Sequence, residues 1–384
     1  MATIMDRSSN APVSVGSTPE IASSPPRLRL DFLDGLRALA ALFVAWYHCY
    51  LAVYIQTRAS GVSRWVSEPM LYGHLAVPVF IVISGFCLML PVVRDGGVLR
   101  GGVLHFFRKR SRRILPTYFA AMALFLCAHY LEQRHTANIK DVVTHALLIH
   151  NLWPETFRGS INPSFWSIAV EWQIYFAFPA LILAWRAFGG VPTLLATLAL
   201  TTSAFFLLSV TSLAGITPHF YGLFALGMFG SAVAFGDGRH WQQLRARPAW
   251  GRIGALVLLV AVAISRVWGP GTEVPYQAYG LDLFAGLTAM CIMISAARND
   301  GSRLKRALSW RPLVFLGTFS YSIYLLHQPC LHIVLRLFRK FSVNVDTSYL
   351  LLTFVGVPIV VAFAYIFYLG CERPFVKANA RISK

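Results

Sequence analysis

Arg37 and His48 stand eleven residues apart in LDGLRALAALFVAWYH (33–48), close to three helical turns, so on a helix they point to a similar side about 16 Å apart. Glu171 sits among Trp166, Trp172 and Tyr175 in SFWSIAVEWQIYF (164–176). Histidine takes a proton from a reacting hydroxyl, and a carboxylate beside it would orient the ring. Arg110 and Arg113, in RSRRILPTY (110–118), have the three-residue spacing that puts two guanidinium forks on one helical face, where they can grip a phosphate. The same run, Arg108 to Arg113, also reads as a stop-transfer or anionic-lipid cluster. Ser320, Tyr321, Ser322, Tyr324 and His327 give LGTFSYSIYLLHQP (316–329) a stripe of polar groups. Such a stripe either ties helices together or walls a cavity.

These residues are embedded in an apolar chain. Of its 384 residues 56% are hydrophobic and 13% charged, against about 25% charged in a soluble domain. Mean hydropathy is +0.58. Ten candidate spans follow, at 34–56, 71–91, 113–131, 165–185, 192–212, 217–236, 250–267, 278–297, 312–337 and 349–370, each near the 20 residues a bilayer requires. The shorter apolar stretch 142–153 is expected at an interface or re-entering. The expected fold is therefore all-α, a polytopic bundle of about ten transmembrane helices. It divides into a polar, disordered tail (1–29), a transmembrane domain (30–372) and a short basic tail (373–384).

With the N-terminus in the cytoplasm, 24 of the 34 Lys and Arg residues fall on the inner side and 9 on the outer, with Arg37 inside the first helix. That asymmetry predicts cytoplasmic N- and C-termini in a plasma or bacterial inner membrane. It also accounts for most of the +18 net charge without nucleic acid as a partner. His48, Glu171 and His327 then share the outer half of the bilayer, at depths of roughly 12, 9 and 15 Å. A charge there costs about 3 kcal/mol or more, so each needs a reason. A lone histidine can be a packing residue, which applies to His74 and His327, and Asp34 can simply pair with Arg37 three residues on.

The composition excludes a secreted or cytosolic soluble enzyme. No Walker loop, HExxH, GxSxG elbow or zinc spacing is present in the sequence, so no metal is expected. The six cysteines (Cys49, Cys87, Cys127, Cys291, Cys330, Cys371) read as small buried hydrophobes. A transporter or exporter with a proton relay is the alternative class, disfavoured by the lack of inverted repeats.

Taken with VPVFIVISGFCL (77–88), the four stretches quoted above resemble the acyltransferase-3 family of bacterial membrane O-acyltransferases, over Leu30 to about Glu372. The resemblance implies transfer of an acyl group, usually acetyl, from cytoplasmic acyl-coenzyme A to a hydroxyl of a carbohydrate, glycolipid or polysaccharide, or of a macrolide-type small molecule. It makes His48 the base, Arg37 its motif partner and Glu171 the helix carboxylate. Arg110 and Arg113 become the donor-side pair; Ser320, Tyr321 and His327 are also expected on the donor side, and Glu171 or a serine of 320–322 is expected to orient the base or polarise the thioester carbonyl. The extracytoplasmic hydrolase-like domain of some members is not seen in this sequence, which implies single-chain chemistry. The partner that orients His48 stays open.

Overall fold

A computed structural model describes residues 30–54, 59–131, 138–157, 161–246, 249–270, 274–298, 302–341 and 344–376. The expected tail 1–29 and residues 377–384 of the expected C-terminal tail lie outside them. The described chain is helical, with no strand among the described residues. Ten long helices organise it: α1 (Asp31–Tyr54), α2 (Ala76–Arg94), α3 (Gly102–Leu131), α4 (Trp166–Phe188), α5 (Gly190–Leu208), α6 (His219–Phe235), α7 (Trp250–Trp268), α8 (Pro275–Arg298), α9 (Ser320–Arg339) and α10 (Val345–Val376). All but α9 are long and apolar enough to cross a membrane, so the chain is a multi-pass membrane protein.

Two departures from the expected spans have physical causes. The 312–337 segment is broken into Arg311–Gly317 and α9, and at the break Gly317 lies directly on the backbone of Asp34, where any Cβ would strike the Asp34 carbonyl. Gly35 packs in the same way on the Leu308 carbonyl, so the start of α1 is clamped by two close backbone approaches. α9 itself is polar for a span, but ten of its 20 residues are buried, including Ser320, Ser322, Tyr324 and His327. It meets other helices rather than lipid. The second departure is α3, which begins at Gly102, eleven residues before the expected 113. Hydropathy stops at a run of Arg and Lys, but those residues are good helix formers and carry the helix straight through.

Two apolar helices have opposite settings. α6 has 14 of 17 residues buried and runs through the protein core. α7 buries only Gly254 and Ser265, so its apolar surface faces outward. α6 crosses α2 backbone to backbone: a Cβ on Gly85 would strike the Phe224 carbonyl, and one on Gly227 the Val82 carbonyl. Small residues at both positions let the helices close without lipid-facing compensation. Gly227→Val must push the pair apart and is expected to destabilise by about 1–3 kcal/mol or more. Gly370→Ala, with open space around it, should change stability by less than about 0.5 kcal/mol. Thermal unfolding of the detergent-solubilised variants separates the two outcomes.

The stretch expected to re-enter or lie at an interface forms Ile139–Ala146, a 3-10 turn at His150–Leu152 and the short helix Pro154–Phe157. His145 and His150 stack face to face, 3.8 Å between centroids, and both are fully buried. Burial and the neighbouring His145 pull His150 down to about 3, and burial also lowers His145. The Tyr118 hydroxyl donates to the His145 carbonyl at 3.0 Å, tying this segment to α3.

Candidate active site

Six of the eight expected site residues meet in one cavity of about 130 Å³: Arg37 from α1, Arg110 and Arg113 from α3, Glu171 from α4, and Ser320 and Tyr321 from α9. Arg37 is fixed at both ends of its guanidinium. It donates to Asp34 at 2.9 Å, the helix-neighbour pair read from the sequence, and to the Cys87 sulfur of α2 at 3.0 Å. Arg110 and Arg113, one turn apart, both line the cavity, Arg110 half-buried and Arg113 exposed, whereas Arg108, Lys109 and Arg112 are exposed and do not line it. The Arg110 Nε is buried without a hydrogen-bond partner among the described residues. A buried guanidinium N–H with nothing to donate to is costly, and an anionic guest would satisfy it. The Glu171 carboxylate accepts from the Tyr175 hydroxyl, one turn on, at 2.6 Å, and that hydroxyl lies 3.3 Å from Ser84 Oγ.

The hydroxyl stripe of α9 serves both of its expected roles. Ser322 donates to buried Glu372 at 2.6 Å and Tyr321 to the Ile114 carbonyl at 3.3 Å, which ties α9 to α10 and α3. Ser320, Tyr321 and Tyr324 also line the cavity.

The remaining two expected residues, His48 and His327, pair with each other beside this cavity. His327 Nδ1 lies 2.6 Å from the Tyr324 carbonyl, an acceptor, so this nitrogen carries the proton. Its Nε2 therefore accepts, and His48 Nδ1 stands 3.1 Å away. His48 Nδ1 also faces the Val44 carbonyl at 2.9 Å, so it too is the protonated nitrogen. Two carbonyls thus fix both tautomers and leave Nε2 of His48 with the lone pair. The segment before α4 braces this arrangement: Asn162 donates to the Leu325 carbonyl at 2.8 Å, and Ser164 donates to Gln328 at 2.6 Å. Tyr324 borders both parts of the site, lining the cavity while its ring packs 5.4 Å from that of His327. Its hydroxyl is hydrogen-bonded to Ser167 of α4 at 2.6 Å.

The partner left open for His48 is thus His327, which had been expected on the donor side, while Glu171 pairs with Tyr175 inside the cavity. Cys87, Ser84, Ser167 and Tyr175 were not anticipated as site residues. Cys87, expected as a small buried hydrophobe, lines the cavity and contacts Arg37. All six cysteines are free thiols. Asp282 of α8 pairs with His219 of α6 at 2.9 Å. His74 lies 3.2 Å from the Leu71 carbonyl and 5.6 Å, ring to ring, from Tyr47. Among the described residues no group of three or more His, Cys, Asp or Glu side chains could hold a metal ion.

A phosphate-sized cationic cavity next to an oriented histidine, built from the stretches singled out in the sequence, agrees with a comparison against known families. The family described as an acyltransferase domain matches residues 30–369, nearly the whole described bundle. The chain belongs to the acyltransferase-3 family. Relatives of this acyltransferase-3 chain include "Peptidoglycan O-acetyltransferase OatA" of Listeria monocytogenes, 27% identical over 323 residues, covering 77% of this chain and 48% of the relative. "Putative peptidoglycan O-acetyltransferase YrhL" of Bacillus subtilis is 27% identical over 331 residues, with the same coverages of 77% and 48%. The acyltransferase-3 chain therefore spans about half the length of these curated relatives. No solved structure matches it.

Proposed function

We propose that this chain is a membrane-embedded O-acyltransferase that moves an acyl group, acetyl first among candidates, from cytoplasmic acyl-coenzyme A to an acceptor hydroxyl. The observation that carries the reading is the adjacency of the arginine cavity and the His48–His327 pair, with Tyr324 bordering both. Arg110, whose buried Nε lacks a partner, and Arg113 would hold donor phosphates, and the positioned Arg37 would add positive charge at the cavity wall. His48 Nε2 would take the proton of the acceptor hydroxyl, with the Val44 carbonyl holding the ring in the base tautomer and His327 set against it. The acceptor oxygen would then bond to the thioester carbonyl carbon, the carbon–sulfur bond would break, and the departing thiolate would take up a proton. The products are an ester and free coenzyme A.

The acceptor named for the relatives makes a cell-wall or surface carbohydrate the first class to test, ahead of a glycolipid or a small hydroxylated molecule. The 24-to-9 basic asymmetry supports a donor that enters from the cytoplasm. Purified protein in proteoliposomes, given acetyl-coenzyme A labelled in the acetyl group, should release coenzyme A and deposit label on an added peptidoglycan fragment or glycan. Transmembrane flux of a solute with no acylated product would overturn the reading in favour of a transporter.

A further inference from the structure

A second cavity, of about 400 Å³, lies where the C-terminal ends of α2, α4 and α6 meet the short helix Arg239–Ala246. Its distinctive wall is a pair of indoles, Trp185 and Trp241, with ring planes 17° apart and centroids 6.0 Å apart. Phe229 packs edge-on against Trp241 at 5.6 Å. The chain makes room for this stack with glycine. A Cβ on Gly190 would strike both indoles, and one on Gly236 would strike Trp241. The Gly236–Gly238 turn is held by Arg245, which donates to the carbonyls of Val233, at 2.9 Å, and Gly236. Gln242 donates to the Asp237 carbonyl at 2.9 Å.

The rest of the lining includes polar and open positions. Arg94 and Asp237 both line the cavity, and Gly96 and Gly97, at φ +69° and +85°, leave open space where side chains would stand. A flat aromatic wall, an arginine fork and a carboxylate acceptor suit a heteroaromatic base that carries phosphate. The base would stack on indole, the phosphate would meet Arg94, and an exocyclic amine could donate to Asp237. This cavity also shares two helices with the arginine cavity. From Cys87 to Val92 along α2 is about 8 Å, and from Tyr175 to Trp185 along α4 about 15 Å.

We propose that the Trp185–Trp241 cavity seats the adenine nucleotide end of the acyl donor, with the rest of the donor running toward Arg113 and Arg110. The proposal rests on the acyltransferase reading above and divides one ligand between two cavities. Base recognition falls to the indole stack, and diphosphate recognition to the arginines.

The test compares acetyl-coenzyme A with S-acetylpantetheine, a donor that lacks the nucleotide, using the full chain in nanodiscs. Wild type should prefer acetyl-coenzyme A in kcat/KM, and Trp241→Ala should cut that preference roughly tenfold or more, with Trp241→Phe restoring most of it. Independently of turnover, adenosine 3′,5′-bisphosphate should bind wild type and bind Trp241→Ala roughly tenfold or more weakly, while short-chain phosphatidylglycerol should not displace it. An unchanged donor preference in a folded Trp241→Ala variant overturns the proposal, as does displacement of the bisphosphate by phosphatidylglycerol, which would make the cavity a lipid headgroup seat. If wild type uses neither donor, the acyltransferase reading fails. Loss of bisphosphate binding in Trp241→Ala would then still support a nucleotide seat, and unaltered binding would overturn it.

Discussion

His48→Ala is expected to slow acyl transfer by about 10²–10⁴-fold while the protein remains folded and membrane-inserted. The side chain lies partly buried against α9, so its loss removes a ring contact with His327 but no core packing on the scale of the α2–α6 crossing. What disappears is the Nε2 lone pair whose orientation two backbone carbonyls impose. His327→Ala supplies the internal comparison. It keeps the base and its Val44 carbonyl contact but removes the neighbouring imidazole at Nδ1, so the expected loss is smaller, about tenfold, with a shift in the pH–rate profile because the base loses the ring beside it. Single-turnover transfer from labelled acetyl-coenzyme A, with thermal unfolding run alongside, reads both variants. A folded His48→Ala protein that turns over at the wild-type rate sinks the mechanism.

Replacing Arg110 and Arg113 together by alanine is expected to raise the donor KM by about 10²-fold, with a much smaller change in kcat. One charge-assisted hydrogen bond contributes about 1.5–3 kcal/mol, so either arginine alone accounts for tenfold or more. The two stand one turn apart at the same cavity, so their effects should not add fully. Arg108→Ala plus Arg112→Ala removes the same formal charge from exposed positions of the same helix turn region. If both double variants shift KM equally, the cluster acts through net charge at the membrane surface, and the specific grip is wrong.

Much of this was written in local spacing. The pairs Asp34–Arg37 and Arg110–Arg113 are three residues apart, and helix geometry alone puts each on one face. The long apolar runs fixed the helical class and most of the spans, since no other structure satisfies the backbone in a bilayer. What stayed illegible is pairing at a distance. His48 and His327 are 279 positions apart, and equal depth on two helices does not say which faces touch. Depth alone suggested Glu171 for His48 just as readily. The same holds for His219 with Asp282 and for Cys87 with Arg37, 63 and 50 positions apart. The break before α9 and the seat of Gly317 on the Asp34 backbone are hidden for a different reason, because neither leaves a mark in hydropathy.

The hydrogen bond between Tyr324 and Ser167 has a consequence for the cell as well as for the chemistry. A route that lets a polar reactant approach the middle of a bilayer is also a route for ions, and each unit charge that leaks down a 100 mV potential dissipates about 2.3 kcal/mol. Tyr324 spans from the arginine cavity to the histidine pair and is pinned across α4 by one 2.6 Å bond. Its ring stands between the arginine cavity and the histidine pair. Cells carrying Tyr324→Ala should therefore show a raised proton conductance even where no acyl acceptor is present.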